Sequence, residues 1–305
     1  MPERISVRVP ATSANLGCLF DCAALALGLY LNLHVTPRTD GQISVRYQGA
    51  TPDRIPLDDT NLIAGTIRET LEGWGKHRGF DLEVDNQIPV GVGLGSSAAA
   101  IVGALAVCHW LADKVLFDDD LISLAARLEG HPDNAAAAWL GGFTLSAQSG
   151  EQVVSCSSPI PESLHLVVVI PDYPLPTEKA RQSLPESYSR ADAVHNLQRA
   201  AIIAAKFFSR KPDFSPDLFA DRWHQPYRAP LIPGLPDVLS LNLPGLLGVC
   251  LSGAGPSILA LARDHASAIG EAIRSTLAKQ SVAAEVRVLC ADNKGAKGWS
   301  GSACT

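Results

Sequence analysis

One stretch, Pro89-Val90-Gly91-Val92-Gly93-Leu94-Gly95-Ser96-Ser97, constrains the fold more than any other part of the chain. It follows an alternating run from Phe80 to Ile88, in which Phe80, Leu82 and Val84 share a face, so a strand is expected there. It leads at once into Ala98-Ala99-Ala100-Ile101 and a helical pattern to about Ala112. Glycines at 91, 93 and 95 permit φ > 0 and carry no side chain, so successive N–H groups can turn inward together. The first free N–H groups of the helix and its positive dipole end point at the same spot. Ser96 and Ser97 add hydroxyls beside it. The dipole contributes about 0.3–1 kcal/mol, rising to ~2 when partly buried, and charge-assisted N–H bonds add more. Strand, glycine turn and helix in this order form a cradle for a polyphosphate. The plainer alternative is a glycine turn that lets the helix pack closely on a sheet.

The cradle is of neither common kind. A Walker A loop needs Gly-Lys-Ser/Thr, and the only Gly-Lys here, Gly75-Lys76, precedes His77. A dinucleotide fingerprint needs glycine at 96 or 98, where the chain has serine and alanine. The protein-kinase HRD and DFG signatures are absent from the sequence.

Around this loop the periodicity alternates between strand and helix. Ile5–Val9, Leu29–Val35 and Ile43–Tyr47 read as half-buried strands, and Thr60-Asn61 as the cap of a helix to about Lys76. Helices are expected over Asp119–Leu128 and from Asp133-Asn134 to Leu140, where Gly141-Gly142 stops the last one. After a weak stretch, Ser155–Pro161, the pattern restarts with a continuous apolar strand, Leu164–Ile170. Helices near 177–184, 191–208 and 216–223 follow, then strand 246–251, loop 252–256, strand 257–262, helix 266–278 and strand 284–289. Several strands are hairpin-spaced, so the class is α+β with mixed sheets. The 305 residues suit about two domains, with the boundary near residue 158. Residues 293–305 are small and polar and are expected to be disordered.

Composition narrows the partners. With 47% hydrophobic and 18% charged residues the chain can fill a core, which excludes bulk disorder. The net charge of −6 leaves no basic excess for nucleic acid or an anionic membrane. The longest apolar run, Ala98–Val107, falls short of the ~18 residues of a membrane span, and the N-terminus has no signal-like segment, so a cytoplasmic location is expected. Seven cysteines with no C-x-x-C pair suit buried thiols, Cys18 and Cys22 among them, better than structural zinc.

The string Pro-x-x-x-Gly-Leu-Gly-Ser-Ser-Ala resembles the nucleotide-binding motif of the GHMP kinase superfamily. Two further segments match its other motifs in order: Pro10-Ala11-Thr12-Ser13-Ala14-Asn15-Leu16-Gly17 and Ser252-Gly253-Ala254-Gly255-Pro256-Ser257. Within the superfamily the chain resembles the homoserine kinases. That likeness rests on Phe20-Asp21, Glu129-Gly130-His131-Pro132-Asp133-Asn134, Thr177–Arg181 and Tyr227-Arg228-Ala229-Pro230-Leu231-Ile232-Pro233. The resemblance implies a two-domain GHMP kinase fold, with residues 1–158 ribosomal-protein-S5-domain-2-like and 159–292 ferredoxin-like. It implies ATP and Mg²⁺ as cofactors, L-homoserine as substrate and, by analogy with relatives, a homodimer. A kinase for another small alcohol and a non-catalytic sensor of the same fold are the alternatives.

The residues make chemical sense for such a substrate. Asp21 is an acid in an apolar stretch and needs a cation, which the resemblance identifies as the substrate ammonium; a structural salt bridge is the alternative. Thr177 and Arg181 lie four apart on one helix face, and Arg228 lies in a proline-bounded loop. Two guanidiniums converging on a carboxylate is a geometry that arginine suits. Asn15 can donate and accept, and so orient the acceptor hydroxyl. Glu129 and Ser97 supply hard oxygens for Mg²⁺. The resemblance places ATP against Pro89, Val90, Gly91, Val92, Gly93, Leu94, Gly95, Ser96, Ser97, Ala98 and Ala99, with Asn61 at the adenine, and adds His131 and Gly253 to the substrate site. Asp133 and Asn134 are read as catalytic or, for Asp133 preferentially, as a helix cap. The mevalonate kinases pair an aspartate near this place with a lysine, where this chain has Ser13. A loose phosphoryl-transfer transition state needs no dedicated base, because positioning can supply ~7–11 kcal/mol.

Overall fold

Alternation builds the first sheet. Ile5, Val7 and Val9 point into the core from strand β1 (Ile5–Ala14), which runs antiparallel to β2 (Ala23–Arg38). A computed structural model describes residues 4–114, 117–299 and 301–302. β2 is long enough to serve two partners on its far edge. β4 (Gly79–Asn86) pairs with its C-terminal half and carries β3 (Ile43–Gly49) in parallel, while β5 (Phe143–Ser149) pairs with Ala23–Leu25 and forms a hairpin with β6 (Gln152–Ser158).

Helix α2 (Ser96–Ala112) is apolar on every side and accordingly lies buried. It packs against β1 and among α1 (Leu62–Gly73), α3 (Asp118–Glu129) and α4 (Asp133–Leu140). The second sheet is antiparallel, in the order β10 (Ala284–Leu289), β7 (His165–Pro171), β9 (Ile258–Ala262), β8 (Leu246–Leu251). β7 is apolar without alternation because both its faces are covered. Leu166, Val168 and Ile170 join the core of the first sheet, while Val167 and Val169 pack with Ile269, Ile273 and Leu277 of α9 (Ala266–Ala278). Phe143 of β5 stacks on Phe207 of α6 (Arg190–Phe208) at 4.2 Å, tying the two halves together. Burial pushes the Cys18 thiol up to about 12, as suits an inert core residue. No helix among the described residues is long and apolar enough to cross a membrane.

Several elements depart from the sequence expectations. The weak stretch around Ser155 is strand β6, whose exposed, serine-rich face hides the alternation. The expected helix 216–223 is only a 3₁₀ turn, Pro216–Phe219. Beyond it the Asp221 carboxylate takes the N–H groups of Trp223, His224 and Gln225, and so ends that turn and starts the next. Arg228 is not in a loop but closes the one-turn helix α7 (Gln225–Arg228). Residues 293–299 and 301–302 are not a disordered tail; residue 300 lies outside the described residues. Asn293 clasps the Ile160 backbone through both ends of its amide, α10 (Gly295–Trp299) packs on α4 and β1, and Gly301–Ser302 adds to the β1 edge. Residues 303–305 lie outside the described residues.

Candidate functional site

The glycine loop spans the gap between β4 and α2 with its carbonyls turned into the protein. Gly91 O accepts from Leu175 N, Val92 O from Ser257 N, Leu94 O from Thr12 N, and Gly95 O from Ala99 N. Gly93 O accepts from the Ser252 hydroxyl at 2.7 Å. Among the described residues no acceptor takes an N–H from Gly91 through Ala98, so the donors are free to face a cavity of about 200 Å3. Two glycines are obligatory on contact grounds. A Cβ on Gly93 would lie 2.4 Å from Ser252 O, and one on Gly95 only 1.9 Å from Thr12 Oγ1, with φ at +83° and +66°. Val92, Leu94, Ala98 and Ala99 have buried side chains, and Ala99 has also spent its N–H. Ala99 therefore has no N–H left for a ligand.

Facing the loop is a polar cluster. Ser97 Oγ donates to Glu129 Oε2 at 2.7 Å. Burial pushes the Glu129 carboxyl up, and the Ser97 bond and the His131 charge offset only part of that. His131 Nδ1 lies 2.8 Å from Asp133 Oδ1, and its Nε2 lies 3.9 Å from Glu129. Burial alone would lower the His131 imidazole, but the Asp133 hydrogen bond and the two carboxylate charges hold it above its ordinary value. Asp133 is not the helix cap, a place taken by Pro132. It sits one residue inside α4, where Oδ1 also accepts from Asn134 N at 2.7 Å. Asn134 Oδ1 accepts from Thr12 Oγ1 at 2.7 Å.

The cavity's other end holds charges of both signs. Arg181, on α5 (Thr177–Gln182), grips Asp21 with two bonds of 2.9 Å, so these residues, expected to hold opposite ends of a substrate, are each other's partners in the structure. Asn15, at φ 73°, ties the turn by accepting from Asp21 N and donating to Gly253 O, both at 2.9 Å. Its second Nδ2–H and second Oδ1 lone pair are left over. Arg228 is 1% exposed and donates to Gly253 O at 3.0 Å and His224 Nδ1 at 3.1 Å. Among the described residues no carboxylate lies within ion-pair distance of it. Burial, and then the Arg181 charge, lowers its guanidinium to about 10. Thr177 opens α5 at the cavity rim.

Asn61 is elsewhere, in an adjoining pocket of about 360 Å3 lined by Tyr47, Pro56, Ile63, Asn86 and the same Ser96 and Ser97. Its Oδ1 caps α1 by accepting from Ile63 N and Ala64 N, and Nδ2 donates to Pro56 O. Asn61→Ala should lower stability by ~0.5–2 kcal/mol, the range for a lost cap, read as a reduced Tm both with and without ADP. A Tm change only in the presence of ADP would overturn the capping account.

The cavity thus gathers Asn15, Asp21, Glu129, His131, Asp133, Asn134, Thr177, Arg181, Arg228 and Gly253 with Val90, Gly91, Gly93, Gly95, Ser96 and Ser97. It leaves Pro89 on a separate surface groove and Asn61 next door. Sequence reasoning missed Thr12, Phe20 and His224. The four-residue spacing of His224 and Arg228, one helical turn, was the available signal for the last.

Comparison with known proteins completes the picture. Residues 61–142 match the family model described as GHMP kinases N terminal domain, and residues 210–279 the one described as GHMP kinases C terminal. The chain is 44% identical over 255 residues to a homoserine kinase of Solibacter usitatus, covering 83% of each. It is 39% identical to that of Desulfitobacterium hafniense, covering 96% of this chain and 99% of the other. A crystal structure of homoserine kinase from Cytophaga hutchinsonii superposes with a TM-score of 0.85 at 28% identity, covering 97% of both chains. A mevalonate kinase structure, at 14% identity and TM-score 0.65, shares the fold.

Proposed function

This chain belongs to the homoserine kinases of the GHMP kinase family, and on that premise we propose that it moves the γ-phosphoryl group of ATP to the hydroxyl of L-homoserine. One observation carries the substrate assignment. A buried guanidinium with no acidic partner among the described residues, Arg228, shares a cavity with the Asp21–Arg181 pair and with a loop whose N–H groups are unspent there. An amino acid beside a polyphosphate satisfies every one of those groups. The α-carboxylate takes Arg228 and Arg181, and the ammonium takes Asp21 once Arg181 turns toward the carboxylate. Asn15 and Asn134 align the hydroxyl, and Thr177 and Gly253 close the rim.

The N–H groups from Gly91 to Ala98 hold the phosphates, and the pocket beside Asn61 takes the nucleoside. Ser97 and Glu129 offer one hydroxyl and one carboxylate oxygen, 2.7 Å apart, a donor set that fits Mg²⁺ completed by phosphate and water. When bound, that cation would neutralise charge on the transferred group. Among the described residues no cluster of three or more metal-ligating side chains competes with this assignment. We assign Asp133 to hold His131 rather than to take the hydroxyl proton, since its Oδ1 is engaged by His131 and the helix N-terminus. Two domains, 1–158 and 159–292, frame the cavity in this reading, and every residue named for it comes from one chain.

The test is ADP release on a panel of homoserine, serine, mevalonate and galactose with Mg²⁺-ATP. Homoserine should exceed mevalonate and galactose, which lack the ammonium, by at least ~30-fold in kcat/KM, the scale of one lost charged contact, and serine, which keeps both charges but is one methylene shorter, by ~10-fold or more. Turnover of another alcohol alone would replace the substrate, and nucleotide binding without any product would favour the sensor.

A further inference from the structure

His224 is fully buried, does not line the cavity and has no role in the chemistry just described. Its Nε2 lies 2.8 Å from Gly17 O. A carbonyl can only accept, so that nitrogen carries the proton. Nδ1 is then the lone-pair end, and Arg228 donates to it. The two neighbours therefore dictate one neutral tautomer between them. The backbone on either side is equally restrained, because Asp221 accepts from the N–H groups of Trp223, His224 and Gln225 while receiving Asn196 Nδ2 from α6. Phe20 stacks on the imidazole with ring centres 5.2 Å apart, and the guanidiniums of Arg228 and Arg181 lie over the Phe20 ring at 5.4 and 5.8 Å.

Gly17 and Phe20 belong to the same turn as Asn15 and Asp21. The imidazole thus bridges the turn that presents a carboxylate to the helix that presents a guanidinium. Removing the bridge would leave Arg228 with two carbonyl acceptors, Gly253 O at Nη1 and Ala180 O at Nε, the latter at 3.5 Å. We propose that His224 is a positioning residue that sets the separation between the anionic Asp21 turn and the cationic Arg228, and so tunes the pocket to the charge spacing of an α-amino acid. This rests on the reading that the cavity takes homoserine.

The test compares two substitutions that each keep one contact. His224→Asn puts an acceptor near the Nδ1 position and retains the Arg228 bond, whereas His224→Gln reaches Gly17 and loses it. His224→Gln should raise the homoserine KM at least tenfold with the ATP KM within twofold, and His224→Asn should recover most of that loss. Equal effects of the two variants, or parallel rises in both KM values, would overturn the proposal. Should both variants fail to fold, the wild type decides through ¹⁵N spectra of its histidines at pH 7. The His224 ring should be the neutral Nε2–H tautomer, and its Nδ1 resonance should shift with homoserine but not with ADP. A protonated ring, an Nδ1–H tautomer or no homoserine response would sink it. Absence of wild-type homoserine turnover would instead remove the functional reading itself.

Discussion

Arg228→Met should raise the homoserine KM by about two orders of magnitude while leaving the ATP KM within about threefold, and should leave Tm no lower than in the wild type. The first part follows from stranding a substrate carboxylate in a dry pocket. Truncating one partner of a buried charge pair costs ~2–5 kcal/mol, which at 1.4 kcal/mol per decade is ~30-fold at least. The second part follows from the same burial. The folded guanidinium is lowered to about 10, so the charged form is disfavoured in the fold at every pH below that value. The handicap shrinks only as pH rises from there toward the ordinary guanidinium value of the unfolded chain. An apolar side chain of similar length removes this penalty, which offsets the ~1–3 kcal/mol of leaving the buried His224 Nδ1 without its donor. Arg228→Lys should rescue little, because one ammonium cannot bond Gly253 O and His224 Nδ1 while also forking toward a ligand. Steady-state kinetics together with thermal melts check both halves. A large fall in Tm with little change in the homoserine KM would make Arg228 a structural residue.

Gly95→Ala should reduce kcat/KM for ATP by ~100-fold or more. The left-handed conformation of residue 95 costs a residue with a Cβ about 1–2 kcal/mol, but the contact matters more. The new methyl would stand 1.9 Å from Thr12 Oγ1, a hydroxyl fixed by its bond to Asn134. The loop must move, and a misplacement of ~1 Å near reacting groups costs on the order of 100-fold. Thr12→Ala in the same background should recover part of the loss, since it removes the clash but not the strain, and a double-mutant cycle would read that coupling. Gly150→Ala is the control: at φ +60°, with nothing within 4 Å of the added Cβ, it should lower stability slightly and leave ATP kinetics alone. Equal kinetic damage from both substitutions would mean that backbone strain, not the Thr12 contact, disables the loop.

How much was readable in advance varied with distance along the chain. The cradle, the Asn61 cap and the strands with one polar face were legible, because each depends on residues within a turn or two of one another. The β5–β6 hairpin was obscured by serines and glutamines on an exposed edge, where burial no longer enforces alternation. The helix expected through Trp223 gave way to the Asp221 side chain, which outcompeted backbone carbonyls for three N–H groups. Asn293 to Trp299 looked like a polar tail, yet its contacts are with Ile160, α4 and β1, none of them near it in sequence.

Residue order alone determined that a glycine-rich turn meets a helix N-terminus at Gly95 and Ser96, and with it that a run of N–H donors there has no helical acceptor. Tertiary structure alone decided that Asp21 meets Arg181 across 160 residues, that Asn15 reaches Gly253 across 238, and that His224 spans 207 to Gly17. The division has a physical basis. Backbone conformation is set by neighbours in the chain, whereas the partner of a charge is whichever opposite group the packed sheets bring within about 3 Å. For Arg228 they bring carbonyls and an imidazole, and no acid among the described residues.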